Sequence, residues 1–292
     1  MLPPPAGEIA GEVLRTITRQ FQINTDAWWY RSLHRFAMKP ALRFAQLVRD
    51  TDIQVATDSL WEAARSLLFQ FTRGWEVMGG EKLPKEGPLL VVANHPGGVD
   101  SIALLGVLTR PDVHLLVNRH PALEALPNAG RHFIFVDEHN PHRLDLMREI
   151  IGYLKAGEVV AIFPRGKLEP DPVRYPGALA SVESWSQSLG VFLNQVPETR
   201  LQLVLIENVL SKQAWNHLFA RLGNTNKARH QIGTILQIGF QQVLEKWKIP
   251  VQLTLSDPVT ARELAPSLDP RELNAGIQNY VIQEMKKTFD LL

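Results

Sequence analysis

The 292-residue sequence contains no cysteine, which excludes a disulfide framework, a thiolate nucleophile and thiolate metal sites. It has no excess of either charge. The 31 Lys and Arg stand against 30 Asp and Glu, a net of +1, so a protein that wraps nucleic acid by neutralising many phosphates is not expected. Its apolar runs, such as Leu89–Ala93 and Ser101–Leu108, fall far short of the roughly 20 residues that a membrane-spanning helix needs. The start has no basic stretch ahead of an apolar one, and its first charges are Glu8 and Glu12. No secretory signal is therefore expected, and any membrane contact should be made at the surface. The chain also lacks Gly-x-Ser-x-Gly, His-Glu-x-x-His and a glycine-rich cofactor fingerprint. These absences argue against a serine hydrolase and give no reason to expect a metal or a bound cofactor.

What is present describes a large globular chain, 45% apolar and 21% charged. Up to about residue 73 the apolar residues recur at three- and four-residue spacing: Ile9, Val13, Leu14 and Ile17, then Leu33, Phe36 and Ala37, then Leu60, Ala63, Ala64, Leu67, Leu68 and Phe71. This predicts an N-terminal helical region over 1–74, with Pro40 breaking or kinking its middle helix. From Trp75 the pattern changes. Strand-like runs at Trp75–Gly80, Leu89–Ala93, Val113–Val117, Phe133–Val136, Val159–Phe163 and Leu201–Ile206 alternate with helical segments at Ser101–Leu108, Arg143–Lys155 and Gly177–Leu189. A helix over Ala228–Trp247, a strand over Val251–Leu255 and a last helix over Pro270–Phe289 follow. Continuous apolar strands alternating with helices predict an α/β domain over 75–292, with a mostly parallel central sheet flanked by helices.

In such a sheet, ligands bind beyond the carboxyl ends of the strands. The Leu89–Ala93 strand runs there into Asn94-His95-Pro96-Gly97-Gly98-Val99-Asp100. Gly97 and Gly98 let the backbone turn back, so that Asp100 in the first helical turn reaches one imidazole nitrogen of His95 and leaves the other facing the cleft. That is a general base and its orienter. Backbone N–H groups at the same helix start are candidates for holding an oxyanion. The spacing alone is weak: among nine histidines, His132 and Asp137 share it. On a regular strand over 132–137, however, that second pair would point to opposite faces. A second constellation follows Ile162: Pro164 and Gly166 fix a turn, and Arg165 and Lys167 place two cations on it, suited to a phosphate or carboxylate.

Taken together, Asn94-His95-x4-Asp100 and Phe163-Pro164-x-Gly166 resemble the blocks N-H-x4-D and F-P-E-G-T-R-S of the glycerolipid and lysophospholipid acyltransferase family. Gly130–Asp137 resembles the family's second block, Leu203–Ile206 its apolar fourth, and Leu253–Val259 its closing strand and turn. The resemblance covers about residues 75 to 265. It implies an O-acyltransferase that moves a fatty acyl group from a coenzyme A or acyl-carrier-protein thioester to the hydroxyl of a lysophospholipid or related lipid. His95 would be the base and Asp100 its orienter, and Asn94, Gly97, Gly98, Arg131, Pro164, Arg165, Gly166 and Lys167 would bind substrate. The chain departs from the blocks where Arg165, Lys167, Leu168 and Glu169 replace Glu, Thr, Arg and Ser. Glu138 replaces an Arg of the second block, and Gly97 a frequent Ser. Arg165, Lys167, Arg131 or Arg143 would have to supply the missing cations. The same departures keep open an acceptor without phosphate, or a lipid-binding protein without turnover on the same fold. The helix Ser101–Leu108 and the sheet face would line an acyl tunnel or serve as core.

From Ala27 to Arg49 there is no acid, and Arg31, Arg35, Lys39 and Arg43 repeat every four residues among Trp28, Trp29, Tyr30, Phe36 and Phe44. This is the pattern of a helix lying on an anionic membrane, or of one packed on the catalytic domain with a solvated basic face. With the family resemblance, it leads to an expected placement at the cytoplasmic face of a membrane.

Overall fold

The computed structural model describes residues 2–20, 22–137 and 143–289. Its centre is strand β2 (Leu89–Ala93), all five residues of which are buried. The strand is apolar on both sides because it is covered on both sides. Leu89, Val91 and Ala93 face one core, which includes Leu68, Phe71, Ala103 and Leu104. Leu90 and Val92 face the other, with Ile150, Leu154, Leu189 and Phe192. Burying each such leucine or valine contributes about 1.5–3 kcal/mol, and this pins the strand.

The remaining strands are β1 (Trp75–Met78), β3 (Val113–Asn118), β4 (Phe133–Val136), β5 (Val159–Ile162), β6 (Arg200–Glu207), β7 (Val251–Leu255) and β8 (Val259–Thr260). The sheet order is β1-β7-β6-β2-β5-β3-β4, with β8 on β6. Strands β6, β2, β5, β3 and β4 run parallel, while β7 and β8 oppose β6. The carboxyl ends of β2, β3, β4 and β5 thus lie along one rim.

Helices α1 (Ala6–Gln20), α2 (Tyr30–Thr57) and α3 (Leu60–Phe71) form the N-terminal region. Residue 74 marks the start of the sheet but not a gap between cores, because Leu60, Ala64, Leu68 and Phe71 of α3 pack in the same cluster as β2. Helix α2 runs unbroken through Pro40, so the expected break does not occur. Its neighbour α1 covers it, with Ile9, Ala10 and Leu14 clustered against Ala41 and Ala45.

The helices at Arg143–Lys155 and Pro270–Phe289 have the expected ends, and the one read at 228–247 spans Asn226–Leu244. The single helix expected over Gly177–Leu189 is instead three pieces: Ala178–Ser181, a tight turn at Val182–Ser184, and Ser188–Gln195. The chain is pulled out of helical register where the Ser186 N–H donates to the Pro164 carbonyl at 3.0 Å.

Candidate active site

The β2 strand ends at Ala93, and helix α4 (Asp100–Val107) begins seven residues later. Gly97 and Gly98 both have positive φ, 82° and 67°, which an L side chain adopts only with strain. They fold Asp100 back under the turn. Its carboxylate is buried and accepts four hydrogen bonds. Oδ2 accepts from His95 Nδ1 at 2.8 Å and from the Gly97 N–H at 2.5 Å, and Oδ1 from the N–H and hydroxyl of Ser101 at 2.6 and 3.1 Å. Burial would push this carboxyl up, but His95 and the N–H donors outweigh it and hold the pKa below the usual aspartate value. Burial works against the His95 cation too. There the charge of Asp100 outweighs it, and the imidazole pKa is raised.

An ionised carboxylate can only accept, so Nδ1 carries the proton and Nε2 is the basic nitrogen. His95 is 26% exposed along its side chain, and its ring stacks on Phe163 at 4.4 Å between centroids. It opens on a cleft of about 300 Å³ whose walls include Leu116, Val117, Asn118, Leu123, Phe163 and Gly166. All but Leu123, which lies on the short helix Pro121–Glu124, come from the carboxyl end of β3 or from the turn just after β5, the rim expected for a parallel sheet.

A second cavity of about 280 Å³ shares Ser101, Val117 and Leu123 with this cleft. It runs between α2, α3, α4 and β3, and its walls, among them Phe44, Val55, Leu67, Ile102 and Leu105, are almost wholly apolar. Of the helix read as tunnel lining or core, Ile102 and Leu105 line this apolar space, and Ala103 and Leu104 are core.

The turn after β5 closes the other side. The Gly166 N–H donates to the Phe163 carbonyl at 3.0 Å, with Gly166 at φ 63°, and Pro164 is buried. Arg165 donates from Nε to Ser184 Oγ at 3.0 Å and from Nη1 to the Leu168 carbonyl at 2.7 Å. It lines a pocket of about 260 Å³ with Tyr175, Ser181 and Lys227. Lys167 is exposed. The side chain of Leu168 lies over Gly97, where a Cβ would meet its Cδ2 at 2.6 Å. The Glu169 N–H donates to the His95 carbonyl at 2.7 Å.

Three expectations are corrected by this geometry. Asn94 faces no substrate, since its buried amide bridges to β6, donating to the Ile206 carbonyl at 2.8 Å and accepting from the Ile206 N–H at 2.7 Å. Arg131 lies just before β4, at the amino end of a strand parallel to β2; it is on the rim opposite His95 and cannot replace a phosphate contact there. At the helix start, the N–H groups of Gly97 and Ser101 are taken by Asp100, which narrows the oxyanion candidates to the other N–H groups of that turn. His132 lies in a tight turn and not on a strand, with Nδ1 at 3.0 Å from the Val113 carbonyl, while Asp137 pairs with Arg119 at 3.0 Å. The two form no dyad. Glu138 and the side chain of Arg143 lie outside the described residues.

Other residues that shape the site carry no sequence signal. Buried Asp171 accepts from the N–H groups of Asn208, Val209 and Leu210 at 3.0–3.2 Å, tying the loop after β6 to the one after β5. Buried His230 meets the Tyr175 hydroxyl through Nδ1 at 3.0 Å, and burial holds its pKa low. From the same helix, Thr234 backs Gly98.

Residues 74–186, which include both turns, match the model of the Acyltransferase family. Among solved structures, the 1-acyl-sn-glycerophosphate (LPA) acyltransferase PlsC from Thermotoga maritima aligns with 96% of this chain and 99% of its own, at 17% identity and a TM-score of 0.45. No curated protein matches the chain.

Proposed function

We propose, from the match of residues 74–186 to the Acyltransferase family model, that this chain transfers a fatty acyl group from a thioester, carried on coenzyme A or acyl-carrier protein, to the hydroxyl of a lysophospholipid. The observation that carries this reading is the His95–Asp100 pair, with Nδ1 held at 2.8 Å and Nε2 left to a cleft that shares walls with an apolar cavity. In the first step Nε2 takes the acceptor's hydroxyl proton as the oxygen attacks the thioester carbonyl. The tetrahedral adduct then collapses, the carbon–sulfur bond breaks, and the departing thiolate takes the proton from the imidazolium. Asp100 holds the tautomer and offsets the transient charge. The apolar cavity suits the acyl chain. Arg165, which shares its pocket with Lys227 and Tyr175, suits the acceptor's phosphate.

The membrane reading of the N-terminal region is supported by exposure. Trp28 is 91% and Phe36 81% exposed, and Arg31, Arg35 and Lys39 on the same stretch face solvent, as an interfacial helix requires. Phe44 is instead packed at 6.0 Å from Phe71, so the stretch also anchors α2 to the fold.

The test is incubation of the purified protein with labelled acyl thioesters and a panel of lysophospholipids, glycerol phosphate and neutral long-chain alcohols. Acylated lysophospholipid is the expected product, and it should vanish in His95→Ala. Turnover by His95→Ala at the wild-type rate would overturn the mechanism.

A further inference from the structure

Glu169 stands where the related block carries Ser, and the transfer mechanism above does not use it. It is 1% exposed. Its Oε2 lies 2.5 Å from Ser181 Oγ, and that hydroxyl lies 2.6 Å from the Ala178 carbonyl. A hydroxyl has one proton, and at these separations each contact needs a proton between its two oxygens. The carbonyl can only accept, so Ser181 donates to Ala178, and the proton between Ser181 and Glu169 must belong to Glu169. The indole N–H of Trp185, 3.4 Å from Oε2, is compatible with a carboxylic O–H that accepts there while donating to Ser181. Oε1 is buried and has no hydrogen-bond partner among the described residues, a state far less costly for an uncharged carbonyl oxygen than for half of a carboxylate.

Among the described residues, the groups that face this carboxyl are few. Arg165 does so from its own turn, but its guanidinium is turned to Ser184 and the Leu168 carbonyl. From the β2 turn the group is His95, and from the segment 178–185 come Ser181 and Trp185. Burial, the largest influence, raises the carboxyl's pKa against the pull of Arg165, His95 and the Trp185 N–H. The main-chain N–H of the same residue holds the His95 carbonyl at 2.7 Å.

We propose that Glu169 is an uncharged carboxylic acid that positions His95: its O–H, through Ser181, anchors the turn whose N–H holds the His95 main chain, and its neutrality leaves Asp100, among the described residues, as the acid that sets the imidazole's basicity. Loss of that proton would place a carboxylate next to His95, favour the imidazolium and strip the Ser181 contact of its donor. Only the kinetic part of this inference rests on the acyl-transfer reading.

The test is an NMR titration of the His95 imidazole, assigned with His95→Ala, in the wild type and in Glu169→Gln, a variant of the same shape that donates to Ser181 but cannot ionise. The His95 midpoint should not move, because one neutral group replaces another. A midpoint lower in Glu169→Gln by about half a pH unit or more would reveal a carboxylate in the wild type and overturn the proposal. In acyl-transfer assays, Glu169→Ala should lose about 10- to 100-fold in kcat with KM little changed, as expected for a misplaced base. Glu169→Gln should recover most of that loss, and recovery only by Glu169→Asp would again overturn the proposal. The titration needs no turnover, so an unshifted midpoint in a protein that acylates no acceptor would retract the reaction while leaving the neutral acid in place.

Discussion

Gly97→Ala is the substitution in which this site should show its internal coupling. Gly97 sits at φ 82°, where an L residue costs about 1–2 kcal/mol of backbone strain. Its new Cβ would also meet Leu168 Cδ2 at 2.6 Å, well inside contact distance, and relieving such overpacking costs about 1–3 kcal/mol. The single variant should therefore lose about 2–5 kcal/mol of stability. It should also lose activity, because the same residue's N–H donates to Asp100 at 2.5 Å and any displacement of the turn disturbs the carboxylate that holds His95. Leu168→Ala removes the clashing methyl groups and, being half-buried, should cost about 1–2 kcal/mol by itself. In the double variant the strain term survives while the clash does not. The cycle should thus show coupling of about 1–3 kcal/mol, the double variant being more stable than the sum of the singles. Denaturant unfolding of the four proteins measures this. Additivity to within about 0.5 kcal/mol would refute the reasoning, since it would mean that Leu168 does not occupy the space that Gly97 leaves.

Asp100→Asn should lower turnover roughly 10²- to 10⁴-fold by losing the tautomer and the charge that favour the base; steady-state kinetics on the best acceptor checks this. In the wild type, only neutral His95 accepts a proton and its pKa is raised, so kcat/KM should fall with acidification at a pH above the ordinary histidine value. The stabilising charge pairing with Asp100 is present at lower pH and is lost as pH rises through that same raised pKa. A pH–rate profile whose acid limb lies at or below the ordinary value would contradict the assignment. For the N-terminal helices, reversing Arg31, Arg35 and Lys39 to Glu should weaken sedimentation with anionic vesicles by about 1 kcal/mol or more per charge at low salt. Unchanged sedimentation would assign the three residues to solvent alone.

The parts of this site legible in the sequence are those that local chemistry determines. A buried apolar strand, two glycines and an acid five residues after a histidine specify a strand, a sharp reversal and a carboxylate within reach of an imidazole, and each is found where that logic puts it. Arg131 obeys a rule that is local too: a residue that precedes a parallel strand lies at its amino end, and the site lies at the other. Other failures could not be read locally. The break at Val182–Ser184 depends on a Pro164 carbonyl some 20 residues away. Apolar periodicity reports which face of α3 is covered but not whether a cavity lies beneath it, and Leu60, Ala64 and Leu67 border one. The altered third block is the instructive case. Read one position at a time, Leu168 and Glu169 look like losses from a phosphate-binding motif. In the fold each has a partner: Leu168 fills the space above Gly97, itself a replacement, and Glu169 meets Ser181 while its N–H holds His95. Changes that meet one another and converge on the turn bearing the base preserve its geometry by other contacts. A decaying site would have no physical reason to keep Asp100 saturated with donors and His95 Nε2 facing a cleft.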